Sequence, residues 1–143
     1  MKSKLLQESA ERSYVIVLDP GDEAVACLTD FAREHGLSAS RLTGLGAFSD
    51  VVLGFFDLDA KDYRRIAIDE QVEVASLIGD FALADGIPKL HAHIVVTKAD
   101  GRAFGGHLLA GHVQPTLEVL LVESPAHLRR EHDAATGLAL IKL

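Results

Sequence analysis

Short runs rich in β-branched and aromatic residues recur along almost the whole chain, and only one segment carries a helical period. That pattern, with turns at roughly 8–12-residue spacing, restricts the chain to an antiparallel sheet or barrel with one helix against it. The expected strands cover Ser13–Leu18, Ser38–Phe48, Val51–Asp57, Tyr63–Ile68, Val72–Phe81, Leu90–Lys98, Ala103–Leu109 and Thr116–Glu123. Leu138–Leu143 is apolar enough to add a short edge strand. The fold class is therefore α+β: a mostly antiparallel sheet of six to eight strands and one principal helix. The helix is expected from about Asp22 to Glu34, where Val25, Leu28, Phe31 and Ala32 recur at helical spacing and Gly36 stands ready to end it. Gly44 and Gly46 fall inside a strand, which points to a bulge or a close backbone approach. They lack the third glycine and the following helix of a dinucleotide loop. Gly79 is a second candidate bulge.

The 143 residues fit one domain over positions 1–143, with no repeat or interdomain linker. A chain of this size buries roughly two-thirds of its unfolded surface, so a core can form without staples. The single cysteine, Cys27, excludes an intramolecular disulfide and suits a reducing compartment; its place in the helix pattern reads as a small buried hydrophobe. Residues 1–8 lack the apolar stretch of a signal peptide, and no run is long enough to span a membrane, so the cytoplasm is the expected location. Net charge is −7, and the basic residues are scattered. Arg64-Arg65 and Arg129-Arg130 are the only adjacent pairs, both read as solvated surface. Direct nucleic-acid binding is not expected, because phosphate neutralisation needs clustered Lys and Arg.

His91 and His93 lie two apart in a strand and so project from one face. The strand runs into Ala99-Asp100-Gly101, which reads as a three-residue hairpin loop with glycine at the left-handed position. That register places Lys98 opposite Arg102, His93 opposite His107 and His91 opposite Leu109. Three imidazoles then converge, the ligand set of a zinc ion with an open fourth position. A two- or four-residue loop would turn His107 to the other face and dissolve the trio. His112 is a weaker candidate, beyond the expected strand end. His35, His127 and His132 read as solvated.

Three stretches carry a resemblance. They are Gly44-Leu45-Gly46-Ala47-Phe48-Ser49-Asp50 with Leu53-Gly54-Phe55-Phe56-Asp57, then Leu90-His91-Ala92-His93, then Asp100-Gly101-Arg102-Ala103-Phe104-Gly105-Gly106-His107-Leu108. In order and spacing they resemble the PPC (plant and prokaryote conserved) domain, over about residues 12–124. The resemblance implies a homotrimer. It also implies a DNA-binding label that for stand-alone prokaryotic members rests on analogy of fold. Plant members touch DNA through a basic AT-hook, and no Arg-Gly-Arg hook is present here. The plant partner-recruiting motif falls on Glu70–Ala75, where only Glu73 agrees. His91, His93 and His107 fit the prokaryotic pattern.

Three functions follow as expectations. One is a trimeric binding domain holding a divalent metal, zinc by its ligand set, with a regulatory or ligand-sensing role and room for a small-molecule ligand. Another is a metal-dependent enzyme acting on a small molecule, with Glu118 or Glu73 as general base. The last is a DNA-associated regulator without its own hook.

Overall fold

The structure, a computed structural model, describes residues 1–8 and 10–142. Its nine strands are β1 (Lys2–Glu8), β2 (Arg12–Leu18), β3 (Ala39–Asp57), β4 (Asp62–Ile68), β5 (Val72–Ala84), β6 (Ile87–Thr97), β7 (Ala103–Glu123), β8 (Arg129–His132) and β9 (Ala139–Lys142). The one helix, α1, spans Ala24–Glu34. All strand pairs are antiparallel except β5 with β8. The expected α+β class is the observed one.

Helix α1 forms because Ala24, Leu28, Phe31 and Ala32 share a buried face. It starts two residues later than the sequence suggests. Glu23 caps it, accepting from the Val25 and Ala26 amides at 3.2 and 2.7 Å. The same carboxylate accepts the Gly111 amide at 3.1 Å, which ties the helix start to β7. Asp22 instead accepts the Asp19 amide at 3.0 Å and pairs with the amino group of Met1 at 3.1 Å. His35, expected to be solvated, is half-buried and stacks on Phe31 with ring centroids 4.0 Å apart. Cys27 packs against the core beside these residues, and burial pushes its thiol pKa up.

Strands β7, β3, β5 and β6 pair in a closed ring, since β7 pairs with both β3 and β6. Phe48, Leu53, Leu77, Ile94, Val96 and Leu117 point to the core side, against α1. The expected breaks near Ser49-Asp50 and between Leu109 and Thr116 are not breaks: β3 and β7 run through them as single long strands, with register shifts at Gly46/Phe48, Phe48/Asp50 and Val52/Leu53. Irregularity that reads locally as a strand end is absorbed by bulges when both neighbours supply hydrogen bonds. The bulge on β5 sits at Val74/Ser76, not at Gly79. Gly79 answers to a close approach instead, since a Cβ there would lie 2.7 Å from the His91 carbonyl oxygen.

Two strands lie outside the sequence expectation. β1 pairs along the free edge of β2, where unpaired backbone groups favour pairing over local propensity. β8 forms a short ribbon with β9, joined to β5 through Leu83–Arg129 and Ala84–Arg130. The expected tail strand is β9; Leu143 lies outside the described residues.

The β6–β7 hairpin closes as the sequence predicts. The Lys98 amide donates to the Arg102 carbonyl at 2.9 Å, and the Gly101 amide to the Lys98 carbonyl at 2.8 Å, with Gly101 at φ +82°. A β-branched residue is strained there. Gly101→Val is expected to cost about 1–3 kcal/mol, read as a shift in the urea midpoint.

Candidate metal centre

Alternation along β6 sends Ala92, Ile94 and Val96 into the core and His91 and His93 outward. The hairpin register puts His107 directly opposite His93. The ladder ends at that pair, so His91 has no partner on β7; it faces Asp80 on β5, and His93 faces Ile78. The three rings nevertheless gather, with centroids 5.2, 5.3 and 5.5 Å apart. One nitrogen from each lies within 4.8 Å of the others. A tetrahedral ion with bonds of about 2.0–2.1 Å would need about 3.4 Å between nitrogens, so small ring rotations suffice to close the set.

Electrostatics favour the ligand form of His93 and His107. Burial, then the neighbouring His91 and His93 and the charges of Lys89 and Arg130, lower the pKa of His107 to about 4. Burial and His91 lower that of His93. A neutral imidazole offers the lone pair a metal requires. The sign of the pH effect follows. Between pH about 6.5 and about 4 the unfolded chain binds a proton at residue 107 that the folded chain refuses. Metal-free protein is therefore expected to lose stability as pH falls through that window, by about 1 kcal/mol after solvent screening. Urea titrations across pH 7 to 4, with His107→Gln flattening the slope, check this.

The other ring nitrogens have neighbours of their own. Nδ1 of His91 lies 3.6 Å from Asp80 Oδ2, and Nδ1 of His107 lies 3.5 Å from the Tyr63 hydroxyl. Tyr63 also lies against the His107 ring at 4.8 Å, and burial raises its pKa. Asp80 is held in turn by Arg130, whose Nη2 donates to Oδ1 at 2.6 Å. Burial pushes the Asp80 carboxyl up, but hydrogen bonds from His91 and Arg130 and their charges outweigh it and hold it below the usual range. Arg130 Nη2 also lies 3.4 Å from the His91 Nδ1; the facing carboxylate favours the tautomer with its hydrogen on Nδ1, which leaves Nε2 of His91 for a metal. Asp80→Asn is expected to weaken zinc binding about 10–100-fold, measured by competition with a chelating dye.

The arrangement corrects several readings from sequence. Arg130 is not solvated surface: its side chain is 6% exposed. Its Nη1 donates to the Ala139 carbonyl at 3.2 Å, and its Nε is buried without a partner. Glu118 and Glu73 do not reach the triad. Glu118 is exposed between Leu45 of β3 and Val17 of β2, on a stretch of β7 well beyond the His107 end that pairs with β6. Glu73 faces Thr97, roughly 13 Å along β6 from His93 at the rise of a strand. His112 is apart as well, its Nδ1 bound to Asp50 Oδ1 at 2.9 Å, which raises its pKa. His127 and His132 are exposed as expected, although His127 Nδ1 meets Ser38 Oγ at 2.6 Å. Arg64 pairs with Asp57.

Asp80 was within reach of sequence reasoning. Asp85-Gly86 is a two-residue hairpin turn with both residues at positive φ. That turn pairs Ala84 with Ile87 and carries the register back to Asp80–His91 and Ile78–His93.

Residues 6–125 match the Plants and Prokaryotes Conserved (PCC) domain. The chain belongs to that family. A PCC (equally PPC) protein of Pyrococcus horikoshii has the same fold at a TM-score of 0.86 and 29% identity, over 99% of this chain and 95% of that one. A metal-containing protein of Archaeoglobus fulgidus superposes at 0.85 with 29% identity, over 99% and 97%. A candidate DNA-binding protein of Bacteroides thetaiotaomicron superposes at 0.88 with 25% identity, over 98% and 96%. In sequence, the bifunctional protein GlmU of Synechococcus sp. (strain JA-3-3Ab) is 34% identical over 129 residues. This PCC chain spans only 20% of that protein's length.

Proposed function

We propose that this chain is a homotrimeric PCC domain that holds one divalent metal, zinc by its ligand set, on His91, His93 and His107, and serves as a ligand-sensing or regulatory module of the cytoplasm. The observation that carries the reading is the convergence of three imidazoles on one sheet face, with His93 and His107 biased towards the neutral form. The metal-containing relative from Archaeoglobus fulgidus supports it. Among the described residues no helix is long and apolar enough to cross a membrane.

Trimer formation rests on the family resemblance and on apolar side chains left on the outer sheet face. Leu45, Ile78 and Leu120 are exposed there on adjacent strands. A patch of this kind favours burial against another copy. Light scattering at micromolar concentration is expected to give three times the 15.4 kDa chain mass; the monomer mass would contradict it.

A cleft of about 340 Å³ beside the triad favours the metal-dependent enzyme as a second reading. The carboxylates suggested as general bases do not stand at that cleft, so any base there comes from other groups. A DNA-associated role has the Bacteroides relative in its favour and the net charge of −7 against it. A gel shift at about 150 mM salt separates it, since binding tighter than the micromolar non-specific range would establish DNA contact. Metal analysis of protein purified without a histidine tag tests the main reading: about one zinc per chain supports it, and none refutes it.

A further inference from the structure

The wall of the cleft beside the triad is built by residues that lie beyond the family match. The β8–β9 ribbon and the turn before β9 place Arg130 and residues 137–140 along it, facing Lys61 and Tyr63 from the β4 side and Lys89 and His91 from β6. The match to the family ends at residue 125. The ribbon thus adds a feature to the site that the family assignment leaves open.

The charge of that cleft runs against the charge of the chain. Lys61, Lys89 and Arg130 line it, with Asp62 as the one acidic residue, on a protein of net charge −7. Asp62 has one oxygen engaged by the Tyr63 amide at 2.7 Å. Lys61 Nζ donates to the Ala134 carbonyl at 3.0 Å, which holds it at the wall, and among the described residues no carboxylate pairs with it. Lys89 is exposed at the rim, and among the described residues no carboxylate pairs with it. Arg130 is more than nine-tenths buried, and its Nε has no partner. Its pairing with Asp80 spends one negative charge, but that carboxylate also serves His91. Among the described residues, Lys61 and Lys89 therefore bring positive charge to the cleft with no carboxylate paired to either. Field lines concentrate in such clefts and raise the local concentration of anions.

We propose that this cleft is an anion subsite: it takes a small organic acid whose carboxylate sits between Lys89, Lys61 and the Arg130 edge, and whose other end reaches the open position over His91, His93 and His107. The volume of about 340 Å³ suits a molecule of a few heavy atoms, at the small end of ligand pockets. The proposal deepens the metal-site reading and rests on it only for the second end of the ligand. The shared chemistry, a compact anion, also describes inorganic phosphate, so the test carries both.

The test is calorimetric titration of zinc-loaded and metal-free protein with succinate, inorganic phosphate and uncharged succinamide, repeated on Lys89→Met. Lys89 is exposed at a strand rim, so that variant keeps the fold, which its urea midpoint verifies. The expected result is saturable succinate binding to the zinc-loaded protein, no response to succinamide, and about a tenfold loss in Lys89→Met. Phosphate binding more tightly than succinate, with the same Lys89 dependence, supports the subsite and replaces the carboxylate with a phosphoryl group. If the protein takes up no zinc, the metal reading fails alone. Lys89-dependent succinate binding to metal-free protein then still supports the subsite, and its absence overturns it. Equal affinity in the wild type and Lys89→Met overturns the subsite whatever the metal does.

Discussion

Replacing His93 by alanine is expected to lower zinc affinity by more than about 100-fold while shifting folding stability by less than about 0.5 kcal/mol. Loss of a hydrogen-bond partner to a ligating histidine costs about 10–100-fold; loss of the ligand itself removes a bond and leaves two imidazoles, too few for a closed site. The fold has no comparable stake in the ring. His93 is exposed on the outer face, and its backbone bonds to β5 and β7 do not depend on its side chain. Zinc titration against a chelating dye, beside a urea melt of the metal-free variant, checks both halves. An unchanged affinity would place the metal elsewhere.

The largest effect on folding is expected at Gly46. A Cβ there would lie 2.2 Å from the Thr116 carbonyl oxygen and 2.8 Å from the Leu117 Cα. Both are backbone atoms of β7, and Gly46 pairs with Leu117 next to a register shift. Neither strand can yield cheaply, because β3 is held by β5 on its other side and β7 by β2. Gly46→Ala is therefore expected to cost about 3 kcal/mol or more, the upper end of overpacking, and to move the thermal midpoint by several degrees. By comparison, Gly105 has its nearest contact at 3.3 Å, and Gly105→Ala should be mild.

Two of the glycines inside β3 illustrate what the sequence makes legible. Gly44 and Gly46 interrupt an apolar run, and a close backbone approach is the physical reason such a run tolerates them. Likewise Ala99-Asp100-Gly101 encodes a loop length, and loop length fixes the facing of His93 and His107. Both are local signals with one geometric outcome. Arg130 is the opposite case. It reaches Asp80 because a short parallel contact brings β8 beside β5, and neither strand announces the other in its composition. Glu118 and Glu73 misled for a related reason: each is a carboxylate on a strand of the ring, and only the register shows that Glu118 lies on the stretch of β7 paired with β2 and β3, beyond the stretch paired with β6. The continuity of β3 and β7 was hidden because a polar or glycine-containing stretch reads as a turn when its hydrogen-bond partners on neighbouring strands are not in view.

Three imidazoles sharing one metal ion would leave a crystallographic signature at the triad. The direct measurement is diffraction at the zinc absorption edge from crystals of untagged protein. One anomalous peak per chain is expected, about 2.0–2.1 Å from a nitrogen of each of His91, His93 and His107, with a fourth position open to solvent or ligand. Zinc-supplemented crystals with no peak at the triad, or a peak held by other residues such as Asp50 and His112, would contradict it.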